Sequence, residues 1–212
     1  MSADPARVPV PRTTGAESPA EVVAAVRRRA GPPAAWWGMV VLIASEATLF
    51  GAFIGTYYYL RFETPVWPPL GIPEPKVVVP LILIGCLALT APPMLLAYRA
   101  AAAGRLRAAR GYLVLALVVQ AGYFAFEVHD FRDQLHTYGI TRNAYSSIYY
   151  TLLGADHAHV LLGILFTAWL LAKLAGGLTT YRVNAAQAIA WYWVAVILLT
   201  FAVIGTLLSA RV

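Results

Sequence analysis

Charge is what this sequence has least of. Asp, Glu, Lys and Arg together make up 12% of 212 residues, against 60% hydrophobic. Soluble domains carry about a quarter charged residues, so that class fits poorly and a membrane protein is expected. Cysteine is nearly absent. Cys86 is the single one, which excludes an intrachain disulfide, a cysteine-pair metal site and a C-x-x-C-H haem attachment; in its apolar run it reads as a small hydrophobe. The usual enzyme signatures G-x-S-x-G, H-E-x-x-H and the P-loop are missing, so the chain is not expected to catalyse alone. No Arg/Lys-rich stretch is interleaved with stacking aromatics, which speaks against nucleic acid. No internal repeat is visible, which weakens a transporter built from inverted halves.

What is present is apolar length. Five runs, at 36–60, 77–99, 110–129, 147–173 and 187–209, each approach or exceed the roughly 20 residues that span a bilayer as a helix. The expected fold is an all-α five-transmembrane-helix bundle over residues 34–212, preceded by a mobile tail over 1–33. Within that tail Ser18 is an N-cap candidate, Pro19 the first helical position and Glu21 the third, predicting a short amphipathic helix that ends at Arg27, Arg28 and Arg29 on the membrane surface. The first apolar run is longer than a signal-peptide core, so a cleavable leader is not expected. Pro92 and Pro93 predict a kink or break in the second span. Arg7, Arg12, Arg27–Arg29, Arg99, Arg105, Arg107, Arg110, Lys173 and Arg182 fall on one side, and only Arg61, Lys76, Arg132, Arg142 and Arg211 on the other. That bias predicts a cytoplasmic N-terminus and an outside C-terminus. The longest loops, RFETPVWPPLGIPEPK and HDFRDQLHTYGITRNAYS, then lie outside, where a partner domain would touch them.

A few polar residues interrupt the apolar runs. Glu46, in LIASEATLFG, lies about ten residues into its span and so roughly 15 Å deep. An ionised acid facing lipid there costs at least about 2.5–3.5 kcal/mol, so Glu46 must face protein, be protonated, or both. Ala47, Gly51 and Gly55 form a small-residue stripe beside it, suited to close helix packing on nearly the same face. In LLGADHAHVLLG, Asp156 and His159 are three apart and share a helical face, whereas His157 and His159 lie roughly 200° apart. Asp156, His157 and His159 alone therefore make no metal site. The expectation is an intramembrane network of Glu46, Asp156 and His159, in which Asp156 and His159 meet Glu46 or a partner subunit, with a purely structural polar staple as the alternative. Gln120 and Glu127 are seven apart on the third span and face one way; Glu127 reads as an interfacial tether within reach of Arg132 or Trp67.

Taken in order, WWGMVVLIASEATLFGAFIGTYYYLR, WPPLGIPEP, QAGYFAFE and GADHAHVLLG resemble subunit III of haem-copper cytochrome c oxidases, in the compact five-helix form. The resemblance covers nearly everything after residue 34. It implies an accessory subunit without cofactors of its own, beside oxidase subunits I and II, which would hold the haem and copper, together with phospholipids, in a bacterial cytoplasmic membrane. It further implies a role in stabilising the catalytic subunit, supporting proton uptake for pumping and slowing turnover-induced inactivation. Glu46 matches the family's intramembrane Glu, His159 the second histidine of its H-x-x-H-V motif, and Glu127 the acid of its Q-x-x-E-like segment. The chain departs from the pattern at Asp156, where the family has the first histidine, and at Tyr192 and Ala195, where it has His and Asp. The equivalent subunit of a quinol oxidase or nitric oxide reductase is a rival reading, and a proton-coupled transporter a more distant one.

Overall fold

The computed structural model describes residues 17–28 and 31–211. Among these the order is α1 (Pro19–Arg27), α2 (Ala34–Glu63), α3 (Val78–Ala88), α4 (Ala91–Ala102), α5 (Leu106–Thr137), α6 (Ala144–Ala175), α7 (Thr180–Leu208) and a closing 3-10 turn, Ser209–Arg211. The helices α2, α5, α6 and α7, with α3 and α4 taken together, are five elements long and apolar enough to cross a membrane. This is the expected all-α, five-span bundle.

Each helix outruns its apolar stretch or is cut short for an identifiable reason. Pro92 and Pro93 lack the N–H that the helix would need, and the second span breaks between α3 and α4. Thr90, buried at the break, donates both its hydroxyl and its backbone N–H to the Leu87 carbonyl, at 2.7 and 2.9 Å, which tightens the last turn of α3. Helix α5 continues past residue 129 into the segment expected as a loop. Side chains one turn apart support it there: Gln134 Nε2 donates to Asp130 Oδ2 at 2.6 Å, and His129 lies 3.7 Å from Asp133. Helix α7 starts earlier than its apolar run because Thr179 caps it, accepting from Arg182 N–H at 3.2 Å. Asn143 does the same for α6, accepting from Ser146 N–H at 2.8 Å.

Helix α7 is the core element, packed against α2, α3, α4 and α6. Of its most apolar stretch 61% is buried inside the chain, against 6% for α2. Helix α2 buries only Phe50 and Tyr57. Ala47, Gly51 and Gly55 are exposed, and an added Cβ at either glycine meets nothing within 4 Å. Among the described residues the small-residue stripe therefore packs on no helix. At 100° per residue it sits roughly 100°–180° around the helix from Glu46, so the acid and the stripe face different ways. The opposite extreme is Gly163 on α6, where an added Cβ would lie 2.8 Å from the Trp193 ring. That contact is the close approach of α6 and α7, secured by Trp193 Nε1 donating to Thr167 Oγ1 at 2.9 Å.

Part of the segment expected as a tail is a docked helix. Ser18 and Glu21 form the reciprocal cap: Ser18 N–H donates to Glu21 Oε2 at 2.8 Å, and Glu21 N–H to Ser18 Oγ at 3.3 Å. Helix α1 packs on α4 and α7 with Val22 fully buried. Thr180 donates its N–H and hydroxyl to Glu17 Oε2 at 3.0 and 2.7 Å, tying this segment to the start of α7. Gly104, at φ +73°, turns the chain beneath Pro19 and Val23, whose side chains would lie 3.2 and 3.3 Å from any added Cβ. Arg7, Arg12 and Arg29 lie outside the described residues. At the same end of the bundle Arg110 donates to the Leu174 and Ala175 carbonyls, a cation on the C-terminus of α6.

Candidate functional site: two buried polar clusters on helix α6

Helix α6 carries two polar clusters that reach different neighbouring helices. The first joins α2 to α6. His159 Nδ1 sits 2.6 Å from the Ala155 carbonyl, which can only accept, so Nδ1 carries the proton. The other ring nitrogen, Nε2, meets Glu46 Oε2 in a short contact. Both atoms would otherwise be acceptors, so this bond holds one proton, on the imidazole or on the carboxyl. The pair is largely shielded, with side-chain exposures of 13% for His159 and 20% for Glu46. Phe50 presses its edge on the His159 ring, and Tyr192 of α7 donates its hydroxyl to the His159 carbonyl at 2.9 Å. Tyr192, at the position where the resemblance leads one to expect histidine, thus braces the helix backbone.

The second cluster joins α5, α6 and α7. Asp156 is buried and its Oδ1 accepts from Thr200 Oγ1 of α7 at 2.7 Å. Glu127 is buried and its Oε1 accepts from Tyr123 at 2.7 Å, one turn back on α5. His157 Nδ1 donates to the Leu153 carbonyl at 2.5 Å. Each residue is oriented by one bond, and each keeps one atom without a hydrogen bond: Asp156 Oδ2, Glu127 Oε2 and His157 Nε2. His157 Nε2 lies 4.0 Å from Glu127 Oε2, and the three residues bring ligand atoms within 4.8 Å of one another. Phe131 and Phe124 wall the His157 ring, with centroids 5.0 and 6.4 Å away.

The predicted site residues are thus redistributed. Glu46 and His159 meet as expected, but Asp156 does not join them; its carboxylate turns to α5 and α7. Glu127 is not placed at an interface with Arg132 or Trp67. Arg132 is exposed and lies roughly 140° around α5 from Glu127, while Trp67 packs edge-on against Tyr57 and Tyr145, at centroid distances of 5.4 and 4.9 Å. Gln120 is fully buried on the same side of α5, its amide atoms without hydrogen-bond partners. Sequence reasoning missed Tyr123, His157 and Thr200. The four-residue spacing of Tyr123 and Glu127 was a usable signal; Thr200 offered none, because its link to Asp156 crosses between helices.

Five apolar helices around a buried polar interior define an integral membrane protein of the helical-bundle class. The family model for cytochrome c oxidase subunit III matches residues 30–205, and the chain belongs to that family. Among its relatives, cytochrome c oxidase subunit 3 of Bacillus subtilis is 25% identical over 161 residues, covering 74% of this chain and 76% of that protein. The haem-copper oxidase subunit I+III of Aeropyrum pernix is 29% identical over 166 residues, 73% of this chain and 20% of that fused protein. Cytochrome c oxidase subunit 3 of Strongylocentrotus purpuratus is 26% identical over 163 residues, and the chain spans 62% of it.

Proposed function

We infer that this chain is the accessory subunit III of a proton-pumping terminal oxidase that passes electrons from cytochrome c to oxygen. It stabilises the catalytic subunit and supports proton uptake, while haem and copper reside in the partner subunits. The observation that carries this reading is the family match over residues 30–205 combined with a partly buried Glu46–His159 pair joined across α2 and α6. An acid and an imidazole inside a membrane helix bundle are the residue types that mark proton paths.

Association with other oxidase subunits follows from the family, and a relative that fuses subunits I and III into one chain supports subunit I as the direct neighbour. Subunit II is the second partner in this reading. The exposed α2 face, with Ala47, Gly51 and Gly55, suits close packing by a partner helix. Phospholipid suits the apolar cavity of about 620 Å³ between α2, α6 and α7, bordered by Leu42, Phe166 and Trp169. The membrane is a bacterial cytoplasmic one, entered with the N-terminus inside.

The test is purification in mild detergent followed by mass identification and haem spectroscopy of what copurifies. Co-isolation with a haem-copper catalytic subunit and a dinuclear-copper subunit II is expected. A copper-free partner would transfer the chain to a quinol or nitric oxide reductase complex, and isolation without any haem protein would overturn the reading. In the intact complex, Glu46→Gln should slow proton uptake during turnover more than it slows electron delivery.

A further inference from the structure

The Glu46–His159 contact needs one proton and is complete with it. The second cluster is not completed that way. His157 Nδ1 donates to a carbonyl, so in the neutral ring Nε2 is a lone pair; Asp156 Oδ2 and Glu127 Oε2 are acceptors as well. None of the three has a hydrogen-bond partner, and their residues are 8%, 1% and 6% exposed. A proton joins two acceptors. Three converging acceptors, buried together, call for a cation that can bind all of them.

We propose that Glu127, Asp156 and His157 form a binding site for one divalent zinc ion. The donor set, one imidazole nitrogen and two carboxylate oxygens, leaves a fourth position for a water. Two carboxylates and one dication sum to zero charge, which is the form in which such a group sits in an apolar bundle. Tyr123, Thr200 and the Leu153 carbonyl hold the three ligands from behind, by bonds of 2.7, 2.7 and 2.5 Å, the arrangement that orients ligands at metal centres. Ligands on tetrahedral zinc lie about 3.3 Å apart; the three ligand atoms, within 4.8 Å of one another and 4.0 Å apart at His157 Nε2 and Glu127 Oε2, draw together on binding.

The space agrees. A cavity of about 40 Å³ borders two of the three ligands, Glu127 and His157, together with Tyr123, Thr200, Asp130 and Lys76. It holds an ion with one or two waters, given that a water needs roughly 10–15 Å³ on this measure. It is too small for hydrated magnesium, which keeps several waters, and the imidazole nitrogen in the donor set favours zinc over calcium, which takes oxygen ligands. The lining residues Lys76 and Asp130 mark the loop end of the bundle, and they pair at 3.0 Å, so the lysine charge there is offset. Zinc has no redox chemistry, and the site therefore stands apart from electron transfer.

The test uses the full chain in its complex, stripped with chelator, titrated with zinc and desalted, with metal counted by mass spectrometry per subunit III. Zinc in excess of that held by the other subunits should be retained at one equivalent by the wild type and by His129→Ala/His136→Ala. Asp156→Asn should lose it. Thr200→Val and Tyr123→Phe, which keep all three ligands, should weaken retention about 10–100-fold. Cobalt in place of zinc should give visible absorption in the wild type that changes in Thr200→Val, even if Asp156→Asn fails to fold. Absence of the extra equivalent in the wild type overturns the proposal. So does equal retention by wild type and Thr200→Val, or loss of binding in the His129/His136 variant, which would locate the zinc on the loop-side end of α5.

Discussion

At Glu46 and His159 two acceptors from α2 and α6 face each other, and one proton joins them. His157 lies roughly 200° around α6 from His159, and with Asp156 and with Glu127 of α5 it brings three acceptors together with no donor between them. The first cluster lies on α2, the helix most exposed outside this chain; the second lies between α5, α6 and α7, the packed interior. The difference teaches that a buried carboxylate on a membrane helix is not one kind of group. Its role depends on how many acceptors surround it and whether it borders a partner surface or the subunit's own core.

The comparison is broken most completely where both clusters share their support. The α6–α7 crossing at Gly163 and Trp193 holds His159 through Tyr192 and Asp156 through Thr200. Trp193→Ala removes a fully buried ring and should cost about 3–5 kcal/mol, read as thermal unfolding in detergent. Loss of both clusters together is expected; survival of either would show that the crossing is not their common frame. Gly163→Val, which forces atoms into the Trp193 ring, should behave alike.

A smaller effect separates the clusters. His159→Leu leaves Glu46 without its partner and should cost about 1–3 kcal/mol, whereas Glu46→Leu/His159→Leu should recover most of that loss. Unfolding in a double-mutant cycle checks it, and additive losses would mean that the pair is not coupled. The second cluster should be untouched, as seen in unchanged zinc retention.

On the other side, Tyr123→Phe removes the bond that orients Glu127. About 0.5–1.5 kcal/mol of stability should be lost, with the proton-uptake phenotype of Glu46 variants unaltered. Comparable slowing of proton uptake in Tyr123→Phe would unite the two clusters functionally.

The smallest effect lies outside both. The Ser18 backbone N–H, and after it the Ser18 hydroxyl, hold the Glu21 carboxyl below the usual carboxylate range. A depressed folded value means that the cap's contribution is full above the unfolded value and is lost as pH falls through the folded one. Amide protection in α1, taken relative to the intrinsic exchange rate, should therefore fall in acid below about pH 4, and Glu21→Gln should flatten that fall without altering either cluster.

Much of this was legible in the residues. The apolar runs announced five spans, because hydrocarbon leaves a backbone no alternative to the helix. Pro92 and Pro93 marked the break, Ser18 and Glu21 the cap, and the depth of Glu46 its need for a partner. The spacing of Asp156 and His159 was legible too, but it misled about Asp156. Sharing a face places two Cβ atoms together; it does not decide which neighbouring helix each carboxylate or ring reaches. The stripe at Ala47, Gly51 and Gly55 left its partner open for a related reason, since small residues permit close packing without naming the helix that takes it.

The sequence by itself determined the membrane class, the five helices and the presence of buried acids, since each follows from local chemistry against lipid. Only the tertiary structure decided that Glu46 meets His159 while Asp156 meets Thr200, Glu127 and His157. Those partners come from α2, α5 and α7, and the rotation of each helix about its axis is set by packing as close as Trp193 on Gly163, a contact between residues far apart in the chain.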